Sequence, residues 1–194
     1  LRASCNLWVA SDQSWIPPGL WPQLEYKKTI PDGGYLGIEV SLDDSRYFGV
    51  RSVQLPDRRI AVTVCFVVDT YNEMLAEVAK IAGTNVKFLI SPSIEIHWPT
   101  VYDQRTETVG YGEIVRYTAG VKNMIYEGML VHDGSKQLSE HCQRAVAVKA
   151  ESSIALSSAR SPGEISLARC MVWTAALASR PTIVGKPIIA FSNR

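Results

Sequence analysis

The sequence predicts one α/β domain built on a mixed β-sheet, three antiparallel strands followed by parallel pairing, with helices flanking the sheet. Three observations carry this. Residues 35 to 68 contain three short runs rich in β-branched and aromatic residues, parted by turn formers. A helical pattern then separates the third run from a fourth, 86 to 90, and a helix between two strands permits parallel pairing. From residue 111 onward helical spacing dominates.

Taken in order, residues 1 to 34 are an irregular lead-in to a domain spanning 35 to 194. Trp8, Trp15 and Trp21 lie among Pro17-Pro18-Gly19, Pro22 and Pro31-Asp32-Gly33-Gly34, a stretch unsuited to a long helix or a sheet. Three tryptophans need cover, so the lead-in is expected to pack on the following domain or on a segment outside this chain. The strands run Tyr35 to Val40, Ser45 to Leu55 and Arg59 to Val68, broken at Leu42-Asp43-Asp44-Ser45 and Pro56-Asp57-Arg58. Thr70 is placed to cap a helix from Tyr71 to Ala82, and Gly83 to end it. After the fourth strand, Ile94 to Trp98 fits a short helix or a strand end equally. Residues 111 to 128 have helical composition, interrupted by glycines. Leu130-Val131-His132 is extended and precedes the turn Asp133-Gly134. An amphipathic helix is expected over 136 to 150, presenting Leu138, Cys142, Ala145, Val146 and Val148, and a last helix over 164 to 179 after Ser161-Pro162-Gly163.

Composition narrows the function classes. At 46% apolar and 20% charged residues the chain is suited to a packed core. No apolar run reaches the ~18 residues that span a bilayer, and the start, Leu1-Arg2-Ala3-Ser4, has neither an initiator Met nor a signal-peptide pattern, so sequence upstream is expected. The net charge of +1 leaves nucleic-acid binding to a local basic patch. The four cysteines are far apart with no C-x-x-C pair, which argues against zinc and for buried, reduced thiols in an intracellular protein.

Phosphate-cradling glycine loops, a G-x-S-x-G elbow and an H-E-x-x-H helix are all absent. Of His97, His132 and His141, the last two read as surface or loop residues rather than catalysts. The carboxylates are more informative. Glu39 lies in Tyr35-Leu36-Gly37-Ile38-Glu39-Val40, where a charge is costly unless paired, bound to metal, or turned to water on an edge strand. Glu164 stands near the start of the last helix, where a carboxylate also complements the helix dipole.

Residues 35 to 46, Tyr-Leu-Gly-Ile-Glu-Val-Ser-Leu-Asp-Asp-Ser-Arg, resemble the opening strand and turn of the ribonuclease-H-like nuclease domain of tailed-phage terminase large subunits. The stretch from Tyr126 to Leu138, containing His132-Asp133-Gly134, resembles the family segment H-D/R-G-x-x-x-L that leads into a helix. Glu164-Ile165-Ser166-Leu167-Ala168 resembles its final acidic motif. Arg2 to Trp8 and the Trp15 to Trp21 segment resemble the linker that follows the family's ATPase domain.

This resemblance implies an endonuclease that cuts concatemeric double-stranded DNA during viral packaging in the host cytoplasm. It implies two Mg²⁺ or Mn²⁺ ions, about 3.5 to 4 Å apart, held by carboxylates. Its implied partners are an N-terminal ATPase domain of the same chain, a portal and a small terminase subunit, with no membrane. Glu39 stands where the family usually has Asp. Ser91 occupies the usual place of an acid after the fourth strand, so Glu95 is expected to supply the third ligand, with Asp43 or Asp44 as lesser candidates. In many relatives the last acid falls at Ser166 rather than Glu164. The expected catalytic and metal-binding set is therefore Glu39, Glu164 and Glu95. Arg46, Lys136 and Arg169 are the expected phosphate contacts, from a wider set that includes Arg51, Arg105, Lys122 and Arg160. The absence of a base-reading motif implies little sequence preference. Ser91 and the displaced acid also suit a catalytically degenerate domain that guides DNA in the motor. A junction resolvase or transposase of the same superfamily, or an interaction module docking through its tryptophans, are further readings.

Overall fold

The computed structural model describes residues 15–150 and 153–180. Six strands form one sheet: β1 (Gly34–Val40), β2 (Tyr47–Gln54), β3 (Ile60–Val68), β4 (Val86–Ile90), β5 (Thr106–Thr108) and β6 (Leu130–His132), in the order β5-β4-β1-β2-β3-β6. β1, β2 and β3 are antiparallel neighbours, and β4, β5 and β6 join in parallel. The mixed sheet matches expectation. Helix α1 (Tyr71–Ala82) carries the chain from β3 across to β1, so β4 pairs with the first strand rather than the third. α1 starts in a capping box between Thr70 and Glu73, which satisfies backbone donors at its first turn.

The open segment after β4 is a one-turn helix, α2 (Pro92–Glu95). β5 has too few residues to show periodicity in the sequence. Helices α3 (Tyr111–Tyr126), α4 (Lys136–Arg144) and α5 (Ser166–Ala178) follow. The helix expected over 136 to 150 stops at Arg144. Ala145 is extended, and Val146–Ala150 forms β7, an antiparallel hairpin with β8 (Ser153–Ser157). Ala145, Val146 and Val148 satisfy helical spacing, but β-branched residues also suit a strand. The pairing of Val146 with Ser157 and of Val148 with Ala155 decides between the two.

Alternation along β1 divides the interior. Leu36 and Ile38 face a core under α1 with Phe66, Met74, Val78, Phe88 and Ile90. Gly37 faces α5, where an added Cβ would lie 2.9 Å from Thr174 Cγ2 and 3.2 Å from the Cys170 carbonyl oxygen. The glycine thus lets α5 rest directly on the strand. Trp15, Ile16, Trp21 and Leu24 belong to the core on the α5 side, so this part of the lead-in packs on the domain as expected. Trp15 donates to the Cys142 carbonyl (3.0 Å) and Trp21 to Ser139 Oγ (3.0 Å). The sequence expectations for Trp8 and Cys5 lie outside the described residues. Cys65, Cys142 and Cys170 are free, the last two buried.

Candidate active site

Because Gly37 faces α5, Glu39, two residues on, projects from the same face near the C-terminal end of β1. β1 is a central strand, so the edge-strand reading does not apply, and Glu39 is only 8% exposed. Its charge is met by Arg169, in the first turn of α5. Arg169 Nη2 lies 2.9 Å from Glu39 Oε1, and Nε donates to Oε2 at 3.1 Å. Arg169 also donates through Nη1 to Ser158 Oγ (3.4 Å) and sits over the Trp173 ring. The bidentate pairing uses the guanidinium's planar fork.

Burial pushes the Glu39 carboxyl up to about 7, against the charge and hydrogen bond of Arg169; the nearby Glu164 charge pushes the same way as burial, and a Ser166 hydrogen bond opposes it. Glu164 is thus an electrostatic neighbour of Glu39. Its Oε1 accepts from the backbone N–H groups of Ile165 and Ser166 (both 2.9 Å) and from Ser166 Oγ (2.7 Å). These bonds satisfy donors at the start of α5, the helix-start role expected of this residue.

Ser91 follows β4, which runs parallel to β1, and its N–H donates to the Ile38 carbonyl (3.1 Å). Val86, Phe88 and Ile90 face the α1 side, so alternation puts Ser91 on the Glu39 face. Ser91 is 5% exposed, and its Oγ is the buried polar side-chain atom that lacks a hydrogen-bond partner among the described residues. An orphan of this kind calls for a water, ion or ligand group.

Glu95 is exposed at the end of α2. Among the described residues no group of three His, Cys, Asp or Glu side chains is gathered to hold a metal, so Glu39, Glu164 and Glu95 do not form a three-acid cluster. Asp43 organises the turn after β1: hydrogen bonds from Ser41 and Ser45 hold its carboxyl down at about 2. Asp44 takes a left-handed backbone in that turn (φ 55°).

A cleft of about 410 Å³ opens beside Glu164, lined also by Ser41, Asp43, Arg46, His141 and Arg144. His141 and His132, expected at the surface, are both buried. The amphipathic α4 turns His141 inward, where its Nδ1 accepts the Leu167 N–H (3.2 Å); that bond leaves Nε2 protonated in the neutral ring. His132 stacks on Trp21 with ring centroids 4.2 Å apart and bonds the Trp21 carbonyl through Nε2 (2.9 Å). Neither burial is visible locally, because the covering residues come from distant segments.

Burial, with the Arg144 charge, holds His141 down at about 4, against the charge of Glu164. Protonation therefore favours the unfolded chain. Stability that depends on neutral His141 is complete above the unfolded value of ~6.5 and is lost as pH falls toward 4. Glu39 acts oppositely, its raised value adding stability that is lost as pH rises through 7. Comparing wild type with His141→Asn at pH 7 and pH 5 cancels the Glu39 contribution. The wild type is expected to lose about 2 kcal/mol more than the variant over that interval, read by thermal melting.

Of the expected phosphate contacts, Arg46 is exposed on the cleft wall beside Asp69 (3.3 Å), and Lys136 is exposed at the start of α4. Arg169 is instead engaged by Glu39. Arg51 is buried and donates to the Pro31 and Gly33 carbonyls, and Arg105 donates to the Ala82 carbonyl. Both hold backbone in place rather than present a free charge.

No family model matches the sequence, and no curated protein does. Two solved structures share the fold. One is the large terminase of bacteriophage HK97, at TM-score 0.69 and 14% identity, covering 84% of this chain and 43% of that one. The other is the large terminase nuclease from thermophilic phage G20c, at TM-score 0.55 and 8% identity, covering 86% of this chain and 97% of that one. The chain shares the ribonuclease-H-like fold of these two structures, and its match spans less than half of the HK97 chain. No helix among the described residues is long and apolar enough to cross a membrane.

Proposed function

We propose that this chain is the nuclease domain of a DNA-packaging terminase and hydrolyses phosphodiester bonds in double-stranded DNA with little sequence preference. The observation that supports the reading is a buried carboxylate, Glu39 near the C-terminal end of the central strand β1, that feels the charge of Glu164, a residue lining an open cleft. The donor set suits a divalent cation in type: two carboxylates and the orphan Ser91 hydroxyl are hard oxygen donors. Glu39, Glu164 and Ser91 would hold it, and Mg²⁺ or Mn²⁺ bound there supplies Lewis-acid activation of water and stabilises the leaving oxygen. The third acid that Glu95 was expected to provide is not needed in this reading. Arg46 and Lys136 would meet the DNA backbone from outside the cleft. The wider setting, with an ATPase domain in the same chain, a portal, a small subunit and the host cytoplasm, belongs to the same proposal.

A plasmid-nicking assay with Mn²⁺ tests it. The full chain is expected to nick supercoiled plasmid, and Glu39→Gln to lower the rate about 100-fold while keeping a hydrogen-bond acceptor for Arg169. Equal cutting by both proteins overturns the assignment of Glu39. One observation favours a second reading, a degenerate domain that guides DNA: both Glu39 oxygens are taken by Arg169. Absence of cutting by either protein, with DNA binding retained at low salt, would establish that reading instead.

A further inference from the structure

We propose that Arg169 takes the place of a second metal ion, so that the site holds one divalent cation, with the guanidinium as its fixed second positive charge. The inference rests on the nuclease reading and names how that site is charged. Arg169 is not a mobile surface cation: its side chain is 16% exposed and is fixed by Glu39 on two atoms, by Ser158 on a third and by the face of Trp173. A guanidinium carries its charge at every working pH, and its planar fork matches a carboxylate.

The acids present suit one ion and not two. No third carboxylate joins Glu39 and Glu164 among the described residues. Two carboxylates and one guanidinium leave a single net negative charge, so one divalent cation already makes the site positive. A second would add two further positive charges in a largely buried setting, where repulsion is weakly screened. The Ser91 hydroxyl, at the position where the resemblance implies an acid, supplies a lone pair without charge, which suits a site whose missing charge is balanced from Arg169. Arg169 touches Glu39 rather than substrate, so it is a positioning residue: it orients the carboxylate and offsets its charge.

Mn²⁺ titration of the full chain, with free Mn²⁺ read by electron paramagnetic resonance, tests this in wild type, Glu39→Gln, Arg169→Gln and Arg169→Lys. Wild type is expected to saturate at one ion per chain, and Glu39→Gln to bind that ion about tenfold more weakly or worse. Arg169→Gln is expected to bind Mn²⁺ about tenfold more tightly, with room for a second ion, yet to nick plasmid about tenfold more slowly. A purely structural role would not move binding and cutting in opposite directions. Arg169→Lys keeps the charge and is expected to bind one ion with affinity within about threefold of wild type. Thermal melting identifies which variants are folded, and should Arg169→Gln fail to fold, the lysine variant decides.

Two ions bound by wild type, two bound by Arg169→Lys, or unchanged affinity in folded Arg169→Gln would overturn the inference while leaving the nuclease reading intact. No Mn²⁺ bound by wild type would overturn both, a result distinct from the others.

Discussion

Glu39→Ala is expected to destabilise the protein by about 3–5 kcal/mol, the cost typical of breaking a buried ion pair from one side. The alanine leaves the Arg169 guanidinium with Ser158 and the Trp173 face but without the carboxylate that pairs with it on two atoms. For a domain of this size each kcal/mol lowers the melting temperature by roughly 2–4 °C, so the loss is readily measured by calorimetry. Replacing both partners by apolar residues of similar volume, Glu39→Leu with Arg169→Met, is expected to recover most of that stability, because no charge is then left unpaired. The double-mutant cycle should show strong coupling. If Glu39→Ala melts like wild type, the pair contributes nothing to the fold.

Trp15→Ala is expected to cost about 3–5 kcal/mol, since the residue is fully buried and its removal leaves a large cavity in the core on the α5 side. The substitution also leaves the Cys142 carbonyl, in the last turn of α4, without its indole donor. Because α4 carries His141 to the cleft, the loss should extend to the site: nicking should fall together with melting temperature. Trp15→Phe, which keeps most of the apolar volume, is expected to lose less stability than alanine. A variant that melts like wild type would mean that the lead-in does not anchor α4. The effect would be unusual for a segment that reads, in sequence, as a linker rich in proline and glycine.

Local chemistry decided much of the architecture. The three antiparallel strands, the Thr70 cap, α1 and β4 follow from β-branched runs, turn formers and helical spacing, all signals contained within about ten residues. The oddity of Glu39 was equally local, since a lone charge in an apolar strand is visible without a partner. The failures share one cause. Residues 145–150 satisfy helical spacing, and only the strand formed by Ser153–Ser157 shows that they are extended. β5 is three residues whose strand character comes entirely from pairing with β4.

The same division runs through the site. The sequence by itself determined that Glu39 would need a compensating charge, a metal or exposure on an edge strand, and that Glu164 would stand near a helix start. The choice of compensator belonged to tertiary structure. Arg169, read as a phosphate contact, lies 130 residues from Glu39 along the chain and reaches it because Gly37 lets α5 lie on β1. His141, read as a surface residue, is buried because Phe48 and Leu167 arrive from β2 and α5. Glu95, chosen as the third acid, stays on an exposed turn, while Ser91 brings an unpartnered hydroxyl to the Glu39 face. Propensity and patterning act over one turn of helix or a few strand residues, whereas charge compensation and burial act between surfaces that meet only when the chain has folded.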